Sequence, residues 1–210
     1  MNPAYGPNEQ RSNPDDAPVI QRGLPAGSHR RAAELYWEAF GRKLGPGLGP
    51  AEAGITFLAE HLHPDRAIVA LRNGVLVGLA GYRDDGRGLT GGTVRDVLRA
   101  YGGVRALHRV ALLALFERRP ARGEFLMDGI AVAADQRGTG IGGLLLAEIA
   151  TLAHERGYRR IRLDVIDTNP RARALYERHG FTATKTEHAP FLRTLMGFSA
   201  TTTMTRRLPG

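Results

Sequence analysis

None of the 210 residues is cysteine. Disulfide staples, thiolate nucleophiles and cysteine-ligated zinc are therefore excluded. Lysine is nearly missing too: among 29 basic residues only Lys43 and Lys185 are lysine. No apolar run approaches the roughly 18 to 20 residues of a membrane span; the best candidates, 110–116 and 144–153, fall far short. The opening stretch, MNPAYGPNEQRSNPDD, is polar and holds no apolar secretory core. The formal charge is +8, but the arginines are dispersed among acids, with none of the basic blocks of roughly five to eight residues that mark nucleic-acid binders. The positive field favours anionic ligands in general. The expectation is a cytoplasmic protein that engages neither membrane nor nucleic acid.

Length and composition predict one domain over 18–210, preceded by a disordered arm at 1–17. Short strands are expected at 19–22, 67–71 and 75–82, the last two joined as a hairpin through Asn73–Gly74. Further strands are expected at 125–132, 160–165, 181–184 and 201–207. Helical spacing runs over 28–40 with Ser28 as N-cap, over 55–61 with Gly54 as cap, and over 93–118 with a break at Gly102–Gly103. It returns over 144–156, ended by Gly157, and over a short helix with Asn169 at the N-cap and Pro170 at the first position. Residues 41–54 hold five glycines and two prolines and read as a loop. The class is α+β, with one β-α-β unit in the middle of the chain.

That unit carries the most informative stretch, Gln136 to Gly143 (QRGTGIGG), between the apolar strand ending at Val132 and the helix beginning near Leu144. A strand, a glycine-rich turn and a helix N-terminus together present backbone N–H groups and a positive dipole end to an anion such as a phosphate. Gly138-x-Gly140-x-x-Gly143 formally matches a dinucleotide fingerprint. However, five residues separate the strand from the first glycine, only one β-α-β unit is present, and Asp164 lies inside a strand. A P-loop fails as well, because no Gly-Lys-Ser/Thr follows.

Arg137-x-x-Gly140-x-Gly142 resembles instead the pyrophosphate loop of the GNAT family of N-acetyltransferases. The likeness runs from about Leu126 to Phe181. It includes IAV before the loop, LLLAEIATLA after it, Leu163-x-Val165, Asn169, and ARALYERHGF ending at Phe181. The first half of the chain is only loosely similar.

The resemblance implies a mixed, mostly antiparallel sheet of six to seven strands flanked by helices, with a splayed central strand pair. It implies acetyl-CoA as the acyl donor and direct transfer of the acetyl group to a primary amine, which suits a chain without cysteine. A small-molecule acceptor, a protein or peptide acceptor, and a non-catalytic acyl-CoA sensor are the readings it leaves open, as it does a homodimer. Carried over residue by residue, cofactor contacts fall on Ile130, Ala131 and Val132, on Arg137, Gly138, Thr139, Gly140, Ile141, Gly142 and Gly143, and on Asn169, Arg171, Arg173 and Tyr176. Tyr176 would protonate the leaving thiolate, and the Val132 N–H would polarise the acyl carbonyl. Two acids are candidates for the base, Glu124 and Asp128. Counted by strand alternation, both share the face of Ile130 and Val132. His61-x-His63 lacks a third ligand in sequence, and no metal is expected. The acceptor would be chosen by 40–63, 101–118 and 187–199. A cationic acceptor would need acids there, and only Glu38, Glu52, Asp84 and Asp85 are on offer.

Overall fold

The computed structural model describes residues 17–114 and 123–209. Residues 1–16 of the expected arm, and residues 115–118 of the long helical stretch, lie outside these. Asn73 and Gly74 both adopt positive φ, 51° and 76°, which matches the twist of a two-residue hairpin turn. The turn joins β2 (Ala67–Arg72) to β3 (Val75–Arg83), and β1 (Val19–Arg22) lies antiparallel outside β2. Next come β4 (Glu124–Val132), β5 (Arg160–Ile166), β6 (Thr182–His188) and β7 (Ala200–Arg207). The seven strands form one sheet in the order β1-β2-β3-β4-β5-β7-β6. Among the described residues only β4 and β5 pair in parallel, so the sheet is mixed and mostly antiparallel, as the resemblance implies.

Alternation along the strands splits the apolar residues between two faces. One face carries α5 (Ile141–Glu155) and α6 (Pro170–Arg178). Leu145, Ile149 and Tyr176 close there on Phe125, Ile161 and Met204. The other carries α1 (His29–Leu48), α2 (Ala51–His61) and α3 (Val94–Tyr101), whose Leu35, Phe57 and Val97 meet Val69 and Leu79. Burying each large side chain contributes roughly 1.5–3 kcal/mol. After Gly102, at φ 64°, the chain restarts as α4 (Gly103–Ala114), so the expected break is present. A five-residue α7 (Leu192–Met196) interrupts the stretch between β6 and β7.

The segment expected to be a loop, 41–54, is helical for most of its length. Helix α1 continues to Leu48 with Pro46 near its end, and α2 already begins at Ala51. Two of its glycines serve contact between helices. A β-carbon at Gly54 would collide with the Trp37 ring, and one at Gly47 would lie 2.8 Å from Leu113. Close approach of helices is what looked like turn chemistry. Ser28 does precede α1, but its hydroxyl donates to the Pro25 carbonyl (2.6 Å) rather than capping the helix. No described helix is long and apolar enough to cross a membrane.

Candidate active site

Strands β4 and β5 are neighbours at Glu124 and Arg160, Phe125 and Ile161, and Leu126 and Arg162, and then part. From there β4 follows β3 as far as Val132, and β5 follows β7 as far as Ile166. The closed end is pinned. Phe125 sits between Tyr82 (centroids 5.1 Å) and Tyr158 (5.2 Å), and Arg160 reaches Glu124 at 3.3 Å. The gap opens where β4 bulges. Gly81 faces Gly129 and Tyr82 faces Met127, leaving Asp128 without an opposite residue. Such an insertion bends the strand and increases its local twist. Gly129 has φ 151°, and a β-carbon there would come within 2.5 Å of the Phe40 ring.

Beyond the bulge the backbone of β4 is aimed into the gap. The Ala133 amide donates to Val77 (2.9 Å), while Val132 lies opposite Gly78 and Ile130 opposite Ala80. In an antiparallel ladder residues alternate between facing their partner and facing away. The N–H and C=O groups of Ile130 and Val132 therefore point away from β3, toward β5. Ala131 turns the other way, to Leu79, so it is not a gap-facing residue as the sequence reading had it. Arg137 Nε donates to the Val132 carbonyl (3.1 Å).

The bulge also overturns the alternation count for the two acids. Ile130 and Val132 pack against the α5 side together with Phe125 and Met127, whereas Asp128 opens into a cavity on the α1 side. One unopposed residue reverses the phase. Glu124 lies at the closed end, ion-paired with Arg160, four positions before the bulge. Only Asp128 is at the gap.

Asp128 stands in a cavity of about 130 Å³ with Tyr36, Phe40, Lys43, Arg83 and Asp164. Its Oδ2 accepts the Leu89 amide (2.9 Å), and Arg83 Nε lies 3.9 Å from Oδ1. Burial raises its carboxyl above the ordinary range, opposed by the Leu89 hydrogen bond and by the charges of Arg83 and Lys43. Burial, and next the Asp128 charge, pushes the Tyr36 phenol up. Sequence reading missed Tyr36 and Arg83. The available signal was Tyr36 lying one helical turn before Phe40, where the rings meet at 4.6 Å.

The glycine loop divides into two pairs. Gly138 (φ 88°) and Gly140 (φ 90°) take a left-handed backbone with open space where a β-carbon would stand. Gly140 is the N-cap of α5, with no side-chain cap and no acid in the first turn, so among the described residues no side chain caps the start of the helix. Gly142 and Gly143 serve packing instead. A β-carbon at 142 would lie 3.0 Å from Leu175, and one at 143 would lie 2.9 Å from His179. The Gly143 amide donates to Gly140 (2.9 Å), which removes it from the expected donor set. The Thr139 hydroxyl donates to the Gln136 carbonyl (2.8 Å). Arg137, expected at the loop, reaches back to Glu38 on α1 (2.5 Å).

Tyr176 is buried within the cluster against which Ile130 and Val132 pack, with its ring 5.9 Å from Phe181. Burial alone raises its hydroxyl. Asn169 caps α6 by accepting the Ala172 amide (3.1 Å). Arg171 and Arg173 are exposed, and Arg173 pairs with Glu177 (2.9 Å). His61 and His63 are held by backbone carbonyls, those of Phe57 (2.7 Å) and Gly88 (2.8 Å). The His179 ring packs on Gly143, and burial first, then Arg206 and Arg178, lowers its pKa.

A family model described as "Acetyltransferase (GNAT) family" matches residues 30–181. Solved structures share the fold. One is titled an acetyltransferase, 22% identical, with a TM-score of 0.59 over 91% of this chain and all of that one. Another is a GCN5-related N-acetyltransferase from Kribbella flavida, 19% identical, at 0.58 over 90% and 98%. A third is a ribosomal-protein-alanine N-acetyltransferase from Brucella melitensis, 20% identical, at 0.58 over 90% and 99%. No curated protein is a significant sequence match.

Proposed function

Because the chain belongs to the acetyltransferase (GNAT) family, we propose that it moves an acetyl group from acetyl-CoA directly to the primary amine of a small molecule. The observation that carries this reading is the parting of β4 and β5 after Leu126 and Arg162, with the backbone of Ile130 and Val132 aimed into the opening. A ligand rich in amides can pair there as an additional strand would. The uncapped amides at the start of α5 suit the pyrophosphate, and Gly138 and Gly140 keep side chains out of its path. In this reading Asn169, Arg171 and Arg173 border the cofactor from α6. Arg137 acts by joining the loop to α1 rather than by touching phosphate.

Acid and base lie on opposite faces of the gap. Asp128, on the α1 side, takes the proton of the incoming ammonium, directly or through a water. Its burial raises its pKa, which brings it closer to that task. Tyr176, on the α5–α6 side, donates its proton to the departing thiolate. Its depressed acidity keeps the hydroxyl protonated until then. The Val132 N–H donates to the acyl oxygen as charge gathers on it. Glu124 is assigned no chemical role and instead helps to hold the closed end with Arg160.

A small acceptor is favoured over a protein chain because α7 packs on α1 beside the cavity at the end of β5, with Met196 and Phe198 buried. The test is acetyl-CoA turnover, followed by release of free thiol, across panels of small amines and peptides. Turnover of small amines is the expected result. Turnover confined to peptides would move the assignment to a peptide acetyltransferase. Cofactor binding without turnover on any amine would leave only a sensor module.

A further inference from the structure

We infer that the acceptor carries an anionic group beside its amine, held by Arg42 and Arg193. The inference rests on the acetyltransferase reading and adds the chemical class of the acceptor. A cavity of about 370 Å³ lies at the carboxyl end of β5, between Arg42 of α1 and Arg193 of α7, above Asp167 and Ser199. Consecutive residues at the end of β5 line the two cavities, Ile166 that of Asp128 and Asp167 this one. In the proposal, the remainder of an amine presented to Asp128 extends past Ile166 to these two arginines.

Charge on that remainder follows from the partners. Among the described residues neither Arg42 nor Arg193 has a carboxylate partner. The one acid lining the cavity, Asp167, accepts from the Ser199 hydroxyl (2.6 Å) and amide (3.2 Å). The Ser199 hydroxyl chiefly holds it below the ordinary carboxylate range, so it stays an anion committed to Ser199. The Arg42 guanidinium lies against Gly197 (φ 75°) on the cavity wall. Two guanidinium forks over one cavity suit a planar or tetrahedral oxyanion, a carboxylate or a phosphoryl-type group.

A polycation would need acids beside these arginines, where Asp167 is committed to Ser199. Three of the acids the sequence offered for it are engaged elsewhere: Glu38 with Arg137, Glu52 with Arg30, and Asp84 with Arg156 and Tyr158.

The experiment measures thiol release with matched primary amines: one bearing a carboxylate, its neutral amide, one bearing a phosphonate, and a polyamine. Wild type is compared with Arg42→Gln, Arg193→Gln, the double variant, and Arg42→Lys, after thermal melts confirm folding. The expected result is a kcat/KM for an anionic amine about tenfold or more above the neutral amide, as charge-assisted hydrogen bonds give. The Gln variants should erase that preference, mainly through acceptor KM, with acetyl-CoA KM unmoved. Arg42→Lys should keep part of it. Whichever anion wins identifies the group. Turnover without an anionic preference, or a preference that survives the double variant, overturns the inference alone. A rise in acetyl-CoA KM instead would place the arginines on a cofactor phosphate and also overturn it. No turnover of any amine defeats the acetyltransferase reading and the inference together.

Discussion

The tip of the Phe40 ring closes on Gly129, so near that a β-carbon there would come within 2.5 Å of it. One residue earlier stands Asp128, the unopposed residue of the bulge. Helix α1 thus presses on the irregular point of β4, and its pressure depends on position 129 having no side chain.

Gly129→Ala should therefore lose stability by about 1–3 kcal/mol, the usual cost of a residue held in a sparsely populated backbone region. Turnover should fall further as Asp128 is displaced. Combining it with Phe40→Ala should restore part of the loss, because the two positions are in contact. Denaturant melts of the four proteins check this, and strict additivity would rule out the contact as the cause.

How far the site was legible in the sequence depended on which rule each residue obeyed. Gly138, Gly140 and Asn169 announce themselves, because a left-handed turn and a helix cap demand those residue types locally. The hairpin at Asn73–Gly74 was legible for the same reason. The side on which Asp128 faces was not, because a bulge is a disagreement between two strands, and Met127-Asp128-Gly129 alone does not contain it. The glycines at 47 and 54 misled in a related way. Whether a glycine serves a turn or a close contact is decided by its neighbour, here Leu113 or Trp37. Gly142 and Gly143 were assigned to the ligand on the same incomplete ground.

Asp128→Asn should lower kcat by roughly 100-fold or more, within the usual range for removing a general base, while acetyl-CoA affinity holds. The pH dependence gives the sharper check. A base works only when ionised, and burial raises the Asp128 carboxyl above its ordinary value. The wild-type rate should rise with pH through that raised value and level off above it. The variant should lose this limb and keep a flat residual rate. An unchanged limb would clear Asp128.

Arg83 stands 3.9 Å from the same carboxylate, and its charge favours the ionised form. Arg83→Met should therefore move the acidic limb to higher pH, leaving less active enzyme at a given acidic pH and near-normal rates on the plateau. A limb that moves down, or not at all, would mean that this cation does not govern the base.

The two pairs of loop glycines should respond differently. Gly140→Ala meets open space but must hold φ near 90°, a strain of about 1–2 kcal/mol for a residue with a β-carbon. The loop should relax by turning its amides, and acetyl-CoA affinity by calorimetry should fall more than the melting temperature. Gly143→Ala sets a β-carbon 2.9 Å from the His179 ring, so it should shift α6 and lower the melting temperature more than the affinity. The reverse pattern would exchange the two roles.

Tyr176→Phe keeps the ring that packs on Phe181 and removes only the hydroxyl. Folding stability and acetyl-CoA affinity should change little, since burial of the hydroxyl is itself unfavourable without a strong partner. If Tyr176 is the acid, kcat should drop by about 100-fold, and the drop should depend on the leaving group. A thiol that departs easily as an anion needs no proton, so an acyl donor with a more acidic thiol should recover much of the lost rate in the variant and gain little in the wild type. Equal response of both proteins to the better leaving group would show that the hydroxyl takes no part in thiolate departure, and the buried ring would then be packing alone.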